Sequence, residues 1–82
     1  MDNRVAIISI IVENEDAAGP LNALLHQYGS EIVGRMGLPY RKRNVNLICV
    51  AIDAPINRIN ALTGAIGRIQ GLTAKVVYSK IV

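Results

Sequence analysis

Residues Gly29–Asp53, GSEIVGRMGLPYRKRNVNLICVAID, read as two extended segments joined by a basic turn. Glu31 to Leu38 alternates imperfectly between a polar and an apolar face, whereas Val45 to Ile52 is apolar on both alternating faces. Between them Pro39 to Asn44 places Arg41, Lys42 and Arg43 in succession beside Tyr40. A strand-like run and then a helix-like run precede this hairpin; a helix-like run and then a strand-like run follow it. The chain therefore reads β-α-(β-β)-α-β, a split β-α-β pattern in which the hairpin supplies one inner and one outer strand to a four-stranded antiparallel sheet.

Working outward, Arg4 to Val12 is apolar on both faces, with Val5, Ile7 and Ile11 on one and Ala6, Ile8, Ile10 and Val12 on the other. Such a strand is covered from both sides. It and Val45–Ile52 are expected at the centre of the sheet, with Glu31–Leu38 and Leu72–Ser79 at its edges. Gly34 and Gly37 in the first edge allow a bulge or a close neighbour, and Lys75 and Lys80 suit the second edge, where charge discourages strand addition. The two helices cover one face of the sheet, so something else must cover the other, most simply a second copy of the chain. Parity alone leaves open which face that is.

The first helix is expected after Glu13-Asn14-Glu15-Asp16, with Asn14 or Asp16 as its N-cap and the acids near its positive end. Ala17, Leu21, Leu24, Leu25 and Tyr28 form its buried stripe, His26 and Asn22 face away, and Gly29 stops it. Asp53-Ala54-Pro55 starts the second helix, whose stripe is Ile59, Leu62, Ile66 and Ile69. On its opposite side Asn60, Gly64, Gly67 and Gly71 leave a row almost without side chains. Gly71 is expected to terminate the helix. Each interior Gly costs about 1 kcal/mol relative to Ala, so Gly64 and Gly67 suggest close approach of a ligand or a second chain.

Eighty-two residues make one domain, and 51% of them are hydrophobic, with a mean hydropathy of +0.33. That is more apolar surface than one small two-layer domain hides, so a homo-oligomer, dimer or tetramer, is expected to form through the sheet. With no Phe or Trp, the core must be aliphatic. The longest apolar run is far too short to cross a bilayer and follows no signal-peptide pattern, so a cytoplasmic protein with no membrane partner is expected. The single Cys49 excludes an internal disulfide and reads as a small buried hydrophobe. Net charge is +3, unevenly spread: four of six acids precede residue 17, while eight of nine basic residues lie at or beyond Arg35. An anionic partner should therefore meet the second half of the chain.

The residues Val12-Glu13-Asn14, Leu24-Leu25-His26, Arg35-Met36-Gly37-Leu38-Pro39 and Leu62-Thr63-Gly64-Ala65-Ile66-Gly67-Arg68-Ile69-Gln70-Gly71-Leu72 carry a resemblance to the iron-only hydrogenase system regulators. It spans about residues 5 to 77. That family is similar in turn to ACT-type amino-acid-sensing domains and to the ligand-binding domain of nickel-responsive repressors. The resemblance implies a ferredoxin-like α+β fold, assembly through sheets, and a regulatory, non-enzymatic role. Nickel sites of those repressors use several His and a Cys; this sequence holds only His26 and Cys49, so no metal is assigned and no cofactor is named. Their ribbon-helix-helix DNA-binding segment finds no room in 82 residues.

Three functions compete on these residues. The leading one is a small-molecule-binding regulatory module whose candidate site comprises Glu13, Asn14, Glu15 and Asp16, at the carboxyl end of a central strand, with Gly64 and Gly67. The second is a nucleic-acid- or protein-binding adaptor using Arg35, Arg41, Lys42 and Arg43, although sheets that bind RNA present stacking aromatics on their central strands and these strands have none. The third, an enzyme, fares worst, because His26, Cys49 and the acids form no nucleophile–base pair or metal cluster at readable spacing.

Overall fold

A computed structural model describes residues 3–80. Strands β1 (Asn3–Val12), β2 (Ile32–Tyr40), β3 (Val45–Pro55) and β4 (Leu72–Tyr78) alternate with helices α1 (Ala18–Gln27) and α2 (Ile56–Gly67) in the order β1-α1-β2-β3-α2-β4. The sheet order is β2-β3-β1-β4 and all neighbours are antiparallel. This is the ferredoxin-like α+β fold, with the two doubly apolar strands at the centre as their patterning requires.

Alternation in the central strands decides where the core sits. Ala6, Ile8, Ile10 and Val12 of β1 and Val50, Ile52 and Ala54 of β3 are buried under the helices, against Leu21 and Leu25 of α1 and Ile59, Leu62 and Ile66 of α2. No polar side chain is buried among the described residues. Fully burying each Ile or Leu contributes roughly 1.5–3 kcal/mol, so these helix stripes hold the two layers together. Val5, Ile7, Ile11, Leu47, Met36 and Leu38 point the other way and stay exposed. The face that parity left undetermined is therefore the one carrying Val5, Ile7 and Ile11. Cys49 lies on this open face, half-buried with a free thiol, rather than in the core.

Several local expectations change. Between Ile32 and Gly34 the β2–β3 register slips by one residue, leaving Val33 as a bulge that is 70% exposed. The slip reverses parity: Ile32 packs with the core, yet Met36 and Leu38 emerge on the open face and Arg35 on the helix side. The first helix begins as a 3-10 turn over Glu15–Ala17, with the Asn14 side chain accepting from the Asp16 N–H at 3.0 Å. Strand β3 runs on to Pro55, which caps α2 instead of opening it. Helix α2 ends at Gly67, four residues before Gly71; the half-buried Ile69 extends its apolar stripe through a turn, so the pattern outlasts the helix. At the start of α2, Arg58 donates to both carboxylate oxygens of Glu31 and covers the Tyr28 ring at 4.6 Å. The Glu31 hydrogen bond is the main cause of an upward shift in the Arg58 pKa.

Candidate functional site

Antiparallel pairing of Val12 with Asn46 brings the carboxyl end of β1 beside the β2–β3 hairpin. The segment Glu13–Asp16 and the hairpin base diverge from this end of the sheet and enclose a cleft of about 540 Å³. Glu13, Asn14, Glu15 and Asp16 line one side, and Tyr40, Arg41, Asn44 and Asn46 the other. Two sets of residues that seemed unrelated in sequence, the acidic loop and the basic turn, thus share one site.

The acidic wall is fixed by backbone and side-chain bonds. The Glu13 N–H donates to the Gly71 carbonyl at 2.7 Å, and the Thr73 hydroxyl donates to Oε1 of Glu13 at 2.7 Å. Gly71 has φ of +92°, a conformation that suits glycine. The opposite wall turns through Asn44, whose φ of 59° lies in the left-handed region that Asn tolerates better than most residues. Glu15, Asp16, Arg41, Lys42 and Arg43 are all exposed, and the ion pair among the described residues is Arg58–Glu31 rather than any contact between these charges. A cleft with the Glu15 and Asp16 carboxylates on one wall and a guanidinium on the other can receive a small ligand bearing charges of both signs.

The remaining candidates lie elsewhere. Gly64 and Gly67 are exposed on α2 and do not line the cleft. Arg35 is separated from the basic turn and donates to Oδ1 of Asn22 on α1 at 3.1 Å. Lys42 and Arg43 occupy the hairpin tip. Sequence reasoning missed Tyr40, Asn44 and Asn46 as site residues. The strand order alone carried the signal, because it places the end of β1 next to the hairpin turn.

A second concavity, of about 440 Å³, lies on the open sheet face among Ser9, Ile11, Met36, Leu38, Leu47 and Cys49. It is lined almost wholly by apolar groups and belongs to the exposed sheet surface.

The model of the TM1266-like family, described as "Iron-only hydrogenase system regulator, putative", matches residues 4–76. The chain belongs to this family. The solved structure of an uncharacterized protein, TM1266 from Thermotoga maritima, is 34% identical with a TM-score of 0.92, covering 96% of this chain and all of that one. LarC2, the C-terminal domain of a cyclometallase involved in the synthesis of the NPN cofactor of lactate racemase, matches with 17% identity and a TM-score of 0.48 over 98% of this chain and 58% of that one. No protein of curated function matches the sequence. No helix among the described residues is long and apolar enough to cross a membrane.

Proposed function

We propose that this protein is a non-enzymatic regulatory module of the iron-only hydrogenase system that works as a homo-oligomer joined through its open sheet face. The family supplies the regulatory context. The observation that carries the reading is the apolar face itself. Val5, Ile7, Ile11, Met36, Leu38, Leu47 and Val77 are exposed together on it. Val77 at 66% and Met36 at 70% exposure would be unusual on a free surface already carrying Val5, Ile7 and Ile11.

The cleft between Glu13–Asp16 and Arg41 is the proposed effector site, and its effector a small polar molecule. Light scattering tests the assembly: a dimer or tetramer at micromolar concentration supports it, and a monodisperse monomer of 8.9 kDa defeats it. Native mass spectrometry of protein taken directly from cells tests the effector. A retained small molecule that is lost from the Arg41→Ala variant supports the cleft, and retention unaffected by changes on either wall moves the site elsewhere.

A further inference from the structure

We infer that the groove between α1 and β2 is an anion-binding arm of the effector cleft, in which Arg35 holds the carboxylate of a small ligand whose short apolar body runs over Gly37 and Ile48 into the cleft. The inference rests on the effector reading above and names the class of ligand.

The bulge at Val33 decides which side chains face this groove. Beyond it the register pairs Arg35 with the buried Val50, Gly37 with Ile48 and Pro39 with Asn46, so these three β2 residues turn toward the helix layer. Helix α1 buries Leu21 and Leu25 in the core but leaves this side of β2 uncovered, and every residue from Val33 to Tyr40 is exposed. The result is a groove of about 280 Å³ with Ile48 as its floor and Leu21 and Asn22 along its α1 side. That volume lies just below the roughly 300–1,000 Å³ of most ligand sites, so it suits a short chain. Gly37 keeps the groove open. A Cβ built there meets only Cγ1 of Ile48, at 4.0 Å, and Gly71 alone among the glycines has a positive φ, so the backbone at Gly37 does not require a glycine.

Charge sets what the groove can hold. Arg35 stands at the end away from the cleft, its Nη1 donating to Oδ1 of Asn22 at 3.1 Å. An amide oxygen orients the guanidinium without neutralising it, and the ion pair among the described residues lies elsewhere, between Arg58 and Glu31. A guanidinium held in this way presents its other donors as a fork that matches a carboxylate. One cation balances one negative charge, which fits a carboxylate and leaves a phosphate monoester underpaired. No acidic side chain lines the groove, and the Asn22 oxygen already accepts from Arg35. An ammonium next to the bound carboxylate would therefore lie beside a like charge with no carboxylate to receive it. The class is a simple carboxylate and not an α-amino acid.

The other end of the groove opens into the cleft, because Val12, Pro39 and Asn46 line both. Asn46 is half-buried at this junction, in register with Pro39. Its carboxamide both donates and accepts, so it can receive a polar group at the far end of the ligand.

Titration of the nitrogen-15-labelled protein with sodium hexanoate, followed by nuclear magnetic resonance, tests the groove directly. Hexanamide and norleucine are the comparison probes, the first lacking the charge and the second adding an ammonium beside it. Hexanoate is expected to shift the Gly37 amide, the Asn46 side-chain amide and the Arg35 Nε–H at lower concentration than the Nε–H of Arg43 or Arg68, two exposed arginines outside the groove. Hexanamide and norleucine should each bind at least roughly tenfold more weakly. Gly37→Val fills the groove at a strand position that accepts a β-branched residue, and Arg35→Gln removes the cation at an exposed position, so the test survives if the valine disturbs β2. Each variant should weaken hexanoate binding roughly tenfold or more while the remaining amide signals keep their wild-type positions. Equal shifts at all three arginines, or hexanamide or norleucine binding as well as hexanoate, would overturn the inference. Retention of the molecule that co-purifies from cells separates the two readings. Loss in Arg41→Ala but not in Gly37→Val or Arg35→Gln leaves the cleft and defeats the groove; retention in all three defeats the effector reading as well.

Discussion

Gly71 lies so close to Asn14 that a Cβ built on it would stand 2.7 Å from the Asn14 Cβ. The turn entering β4 and the loop leaving β1 are thus pressed together by a residue with no side chain, and the 2.7 Å bond from Glu13 N–H to the Gly71 carbonyl locks the contact. This junction positions the acidic wall of the cleft. Gly71→Ala is expected to destabilise the protein by about 2 kcal/mol or more, combining the left-handed backbone cost with the collision. A thermal melt measures it, and a melting temperature equal to wild type would show that the loop yields freely.

Gly64 and Gly67 make the contrasting pair. A Cβ at Gly64 would meet Arg68 Nη1 at an ordinary 3.6 Å, and one at Gly67 would meet nothing within 4 Å. With the proposed interface on the opposite layer, their helix face stays solvated. The double variant Gly64→Ala/Gly67→Ala is expected to gain roughly 1–2 kcal/mol with its assembly unchanged. Loss of stability or of assembly would instead place a second chain or a ligand on α2.

The reach and the limits of sequence reading follow from particular residues. Val5–Val12 and Val45–Ile52 announced central strands because both of their faces are apolar, and that alone orders the sheet. The bulge at Val33 has no comparable mark. One inserted residue exchanged the faces of Met36 and Leu38 while leaving the composition of β2 unaltered. The end of α2 was obscured in a similar way, because Ile69 packs against the core from a turn and extends the helical stripe. The acidic half of the cleft was legible as a loop following a central strand. Its second wall depended on the pairing of Val12 with Asn46, which is a tertiary fact.

Asn44 offers a local test of the hairpin that presents Arg41. Its left-handed φ of 59° costs an ordinary residue about 1–2 kcal/mol. Asn44→Gly should be nearly neutral or mildly stabilising, and Asn44→Val should lose about that amount and loosen the cleft's basic wall. Chemical denaturation of the two variants provides the comparison; equal stability would mean that the turn re-forms in another conformation.

Ile7 and Ile8 are neighbours on β1 that separate assembly from folding. Ile8 is completely buried under the helices, whereas Ile7 is 45% exposed at the middle of the open face, paired in register with Ala51 and Val77. An aspartate at position 8 must either bury its charge or take up a proton, so Ile8→Asp is expected to cost more than about 4 kcal/mol and to unfold a domain of this size. At position 7 the same charge remains hydrated in a single copy and becomes buried only when a second copy covers it. Ile7→Asp should therefore yield a folded, predominantly monomeric protein whose melting temperature no longer rises with concentration, as that of the associating wild type should. Sedimentation combined with melts over a concentration series reads both effects. An Ile7→Asp protein that assembles like the wild type would remove the open face from the interface, and the exposed Val5, Met36 and Val77 would then require a different partner.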